Sequence, residues 1–62
     1  MKVREVIRLI EKDGWRFKRQ KGSHQIFAHP SKPGIVVVPA HGYGDDLAPG
    51  TENSILKQAG LK

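Results

Sequence analysis

Cysteine is absent from this 62-residue chain, and methionine, tryptophan and tyrosine occur once each. Without cysteine there is neither a disulfide framework nor a thiolate zinc site, so stability rests on packing and a reducing, cytoplasmic setting is expected. His24, His29 and His41 stand too far apart for a closed metal shell, and neither metal nor cofactor is expected. No apolar run approaches the ~20 residues of a membrane span. Charges at Lys2, Arg4, Glu5 and Arg8 also leave no apolar block of the signal-peptide kind. The chain therefore reads as soluble, without a membrane partner.

Acidic residues are scarce too: six Asp and Glu face eleven Lys and Arg, for a formal charge of +5. That surplus favours a polyanion, with nucleic acid first, although a basic surface also serves solubility. The length allows one domain, 1–62, with one small core; a chain of this size buries only about 60% of its unfolded surface. Any site must then be assembled on the surface.

Val3, Val6, Ile7 and Ile10 recur at helical spacing with charges between them, which predicts an amphipathic helix over 2–13, ended at Gly14. Trp15 and Phe17 then alternate with Arg16 and Lys18, predicting a strand over 15–20 that points both aromatics into the core and Arg16, Lys18 and Gln20 outward. Lys21-Gly22 is a turn signal, and 23–29 forms the second half of a hairpin. The β-branched run Ile35 to Val38 suits a central, well-buried strand. A loop over 39–49 follows, with Asp45 and Asp46 read as turn residues, then a helix over 51–59 capped by Gly60. The expected class is α+β, in the order α-β-β-β-α, with a three-stranded antiparallel sheet and both helices on one face.

Four of the eleven cations, Arg16, Lys18, Arg19 and Lys21, fall within residues 16–21. Such a density suits phosphate binding, and it equally describes a solvated strand face. His24 follows two residues after Gly22, where the missing side chain would admit a phosphate. Its imidazole can serve as acid or base near neutrality, beside cations able to stabilise charge on a phosphate under attack. A histidine beside a turn is also commonly structural or merely exposed. His29, before Pro30, is expected to be exposed. His41 is either a loop cap or a second acid/base.

The pattern Gly14-Trp15, Lys21-Gly22-Ser23-His24, Val38-Pro39-Ala40-His41, Leu47, Gly50-Thr51 and Ile55-Leu56-Lys57-Gln58-Ala59-Gly60-Leu61 resembles the HicA toxins across nearly the whole chain. These are small, ribosome-independent mRNA endonucleases (mRNA interferases) of type II toxin–antitoxin pairs. Glu52 departs from the pattern, where an apolar residue is more usual, yet an acid suits a helix start. The resemblance implies a fold like the double-stranded-RNA-binding domain, His24 as the catalytic residue, and a HicB-type antitoxin that covers the active site. Lys18, Arg19, Lys21, Gly22 and Ser23 then contact mRNA, with His41 as an auxiliary. The alternative is a non-catalytic RNA-binding module of the same fold.

Overall fold

The computed structural model describes residues 1–42 and 44–62. Its elements are α1 (Val3–Lys12), β1 (Arg16–Lys21), β2 (His24–Ala28), β3 (Ile35–Pro39) and α2 (Pro49–Gln58). The three strands form an antiparallel sheet in the order β1-β2-β3, so the architecture is the expected α-β-β-β-α.

Helix α1 forms where the apolar stripe lies, and Val3, Val6 and Ile10 are its buried residues. Glu5 accepts the Lys2 backbone N–H at 2.8 Å, which satisfies a donor that the helix start would leave open. At the other end the Trp15 N–H reaches back to the Ile10 carbonyl at 3.0 Å and Gly14 adopts φ +109°, a glycine-ended termination. Helix α2 begins two residues earlier than the sequence pattern indicated. Pro49 supplies its first position, where a proline's missing N–H costs nothing.

The core gathers Val3, Val6 and Ile10 of α1, Trp15, Phe27 of β2, Val36 and Val38 of β3, and Ile55, Leu56 and Ala59 from the C-terminal segment. Partners across a ladder share a face, so Phe27, Val36 and Val38 place both helices on one side of the sheet. Trp15 is wholly buried, and its indole N–H donates to the Ala59 carbonyl at 3.2 Å, joining the end of α1 to the end of α2. The N-terminus is tied down by the loop before α2: Val3 N–H donates to Asp45 O and Leu47 N–H to Met1 O, both at 2.9 Å.

Four expectations are corrected. The run Ile35 to Val38 is an edge strand and β2 is central, because two successive antiparallel connections necessarily place the middle strand between its neighbours. Both helices pack over the inner face of β3, which explains its apolar run. Phe17 faces the helix side but is 53% exposed, since β1 projects past the helices; its ring meets Phe27 edge to face, 6.1 Å between ring centres. A β-bulge between Phe17 and Arg19 shifts the register, so Gln20 opposes Gln25 on the helix side, while Arg19 and Lys21 oppose Ile26 and His24 on the open side. The fourth concerns His29, whose side chain is 7% exposed. Its ring meets Trp15 edge-on at 5.1 Å and bonds to the Asp13 carbonyl, which draws it under the turn after α1.

Candidate active site

The hairpin joining β1 and β2 has a two-residue turn, Gly22-Ser23, closed by the pair Lys21 and His24. Gly22 has φ +60°, and among the described residues no non-glycine residue, Ser23 included, has positive φ, so the turn follows the II′ pattern with glycine first. A Cβ built on Gly22 would meet nothing within 4 Å. The glycine is therefore demanded by the backbone conformation, and the open space around it belongs to the turn as a whole. The Gln20 side chain donates to the Gly22 carbonyl at 2.9 Å and braces the turn from inside.

His24 is the first residue of β2 and is exposed. Its cross-strand neighbours are Lys21 on one side and Pro39 on the other, and all three share the open face of the sheet. Directly opposed side chains have Cβ atoms about 5 Å apart, so the imidazole and the Lys21 ammonium can contact one anion together. Arg19 lies on this face as well, whereas the Arg16 guanidinium donates to the Glu11 and Trp15 carbonyls. Lys18 is the residue the ladder skips at the bulge, and like the rest of β1 it is exposed.

Ser23 links the turn to the end of β3. Its carbonyl accepts the Ala40 N–H at 2.7 Å, and its hydroxyl lies 3.5 Å from His41 Nε2. The exposed His41 is thereby held against the turn that carries His24. The structure thus brings His24, Lys21, Ser23 and His41 together at one end of the sheet, with Arg19 further along β1. Pro39, which the sequence did not single out, forms the wall opposite Lys21. His29 stands at the other end of β2 and takes no part. Among the described residues, no group of three or more His, Asp or Glu side chains converges as metal ligands do.

The chain is thus a small basic α+β domain with an exposed histidine on the open face of a three-stranded sheet and both helices behind it. The family model for the HicA toxin of bacterial toxin–antitoxin systems matches residues 3–61, and the chain belongs to that family. It is accordingly the toxin of a toxin–antitoxin pair, with an antitoxin as partner. No curated protein sequence matches it. No helix among the described residues is long and apolar enough to cross a membrane.

Proposed function

We propose that this toxin is an endoribonuclease acting on mRNA, with His24 as its general acid/base. The observation that carries this reading is the pairing of exposed His24 with Lys21 across a glycine turn, with His41 held beside it through Ser23. Neutral His24 accepts the proton of a ribose 2′-hydroxyl, and the 2′-oxygen forms a bond to the adjacent phosphorus. The bond from phosphorus to the 5′-oxygen breaks, and that oxygen takes a proton from the imidazolium of His24 or from His41. The products are a 2′,3′-cyclic phosphate and a 5′-hydroxyl. Lys18, Arg19 and Lys21 neutralise the charge that develops on phosphate, while Gly22 and Ser23 shape its approach. No cofactor enters this scheme.

The same reading makes residues 1–62 one working domain in the cytoplasm, inhibited when a HicB-type antitoxin covers His24. Single-stranded RNA suits it better than a duplex. The molecule measures 29 × 24 × 17 Å across its Cα atoms, short for a module that must span about 16 base pairs.

The test is cleavage of RNA in chelator by the parent and by His24→Ala. Loss of about 10²-fold or more in rate is expected, with cyclic phosphate on the parent's products. A His24→Ala protein that binds and cleaves as the parent does would sink the mechanism. Salt-sensitive binding without any cleavage by either protein would leave an RNA-binding module.

A further inference from the structure

Strand β1 is an edge strand, and among the described residues no strand pairs with its outer side. All six of its residues are exposed. The opposite edge is screened: Gln58 of α2 accepts the Val37 backbone N–H at 3.2 Å. The two faces along β1 differ sharply in chemistry. On the helix side Phe17 and Gln20, with Ile7, Glu11, Gln25 and Phe27, line a shallow groove of about 420 Å³ between α1 and the hairpin. On the open side stand Arg19 and Lys21, while the Arg16 guanidinium turns back to the Glu11 and Trp15 carbonyls, at 2.9 and 3.0 Å.

A strand added along this edge would alternate its side chains between those faces. Those on the groove side would meet the exposed ring of Phe17, and those on the open side would meet the cations of Arg19 and Lys21. We propose that the β1 edge and the Phe17 groove bind an extended protein segment in which apolar and acidic residues alternate. A second copy of this chain does not fit, because pairing β1 with itself sets cations opposite cations. RNA offers neither a backbone ladder to complete the edge nor alternating apolar groups. In a toxin–antitoxin pair the antitoxin would supply the segment. The inference does not depend on nuclease activity, although it shares Arg19 and Lys21 with the proposed RNA contacts, so segment and RNA would compete.

The test uses a capped nine-residue peptide alternating Glu or Asp with Val, with Phe at its centre, titrated into the isotope-labelled full chain. Amide shifts and slowed amide exchange over residues 16–21 are expected. Phe17→Ser should weaken binding about tenfold or more while Phe17→Leu retains most of it, and a peptide with Lys in place of the acids should not bind. Circular dichroism establishes that each variant is folded. Equal affinity for Phe17→Ser, indifference to the charge reversal, or no response at about 1 mM peptide overturns the proposal. Phe17→Ser should cleave RNA at the parent's rate, so loss of peptide binding is read separately from any failure of the nuclease reading.

Discussion

His29 Nε2 lies 2.7 Å from the carbonyl oxygen of Asp13, while Nδ1 of the same ring lies 3.0 Å from the Ser31 N–H and 3.1 Å from the Lys32 N–H. Two backbone donors at Nδ1 make it an acceptor, so the proton sits on Nε2 and is donated to Asp13. The ring thus fastens the turn after α1 to the loop between β2 and β3. Lys32 extends the fastening by bonding both the Asp13 carboxylate and the Ala59 carbonyl, the latter at 3.1 Å.

His29→Ala should therefore destabilise the fold, because it leaves a carbonyl and two N–H groups without their partner and opens a gap beside Trp15. The expected loss is about 2–4 kcal/mol, a fall in melting temperature of roughly 8 °C or more for a domain of this size. Below that melting point the variant should cleave RNA as the parent does. His24→Ala should show the reverse, with melting unchanged. Thermal melts followed by circular dichroism, alongside cleavage assays, check both; a His29→Ala protein as stable as the parent would mean that water replaces the ring.

Two glycines should answer differently to a methyl group. At Gly22 the space is open and only the left-handed conformation resists, so Gly22→Ala should cost about 1–2 kcal/mol. At Gly14 a Cβ would also come within 2.7 Å of His29 Nε2, a ring held by its hydrogen bonds. Gly14→Ala should cost more, and its effect should be smaller in a His29→Ala background, where the obstructing ring is gone. Urea denaturation of the four proteins measures this coupling; simple additivity would count against the contact.

Much of this arrangement was legible in the sequence, and the exceptions share a cause. Helical spacing in α1, the β-branched run of β3 and the turn signal at Gly22 are local features, and each produced its element. Gln20 depends instead on a bulge, which changes the phase of a strand without changing its composition, and the exposure of Phe17 depends on how far the helices reach over the sheet. His29 depends on a loop from the other end of the sheet. Its proximity to Asp13 and Trp15 arises only from folding, and His-Pro-Ser-Lys carries no signal for it beyond the closeness of backbone donors after the ring. The candidate site was readable because its residues are consecutive. The contact from Ser23 to His41 was not, because it crosses 18 positions.

The hydrogen bond from Lys32 to the Asp13 carboxylate, aided by the Lys32 charge, holds that group below its ordinary value against the opposing effect of desolvation. A carboxyl depressed in the folded state binds its proton more readily when unfolded. Its contribution is therefore complete at pH values above the unfolded pKa of about 3.9 and disappears as pH falls through the lower, folded value. Lys32→Met should bring the Asp13 titration, followed by NMR, back toward the ordinary carboxylate range. The variant should also lose less stability between pH 5 and the acid limit than the parent. An unchanged Asp13 titration would show that the ion pair does not hold in solution.

The placement of RNA on the open face can be read from salt rather than from affinity alone. If Arg19 and Lys21 each neutralise a phosphate, binding releases counterions, and for a single strand each contact contributes about 0.7 to the slope of log K against log salt. With His24→Ala as a background to prevent cleavage, replacing both residues by Gln should flatten that slope by about 1.4. Replacing Lys57, exposed on α2 behind the sheet, should leave the slope unchanged. This control matters because the whole chain carries a charge of +5, and removing any cation weakens long-range attraction somewhat. Only residues in contact with phosphate should alter the number of ions released. Equal slopes for the β1 and α2 substitutions would move the RNA off the hairpin face and separate His24 from its proposed substrate.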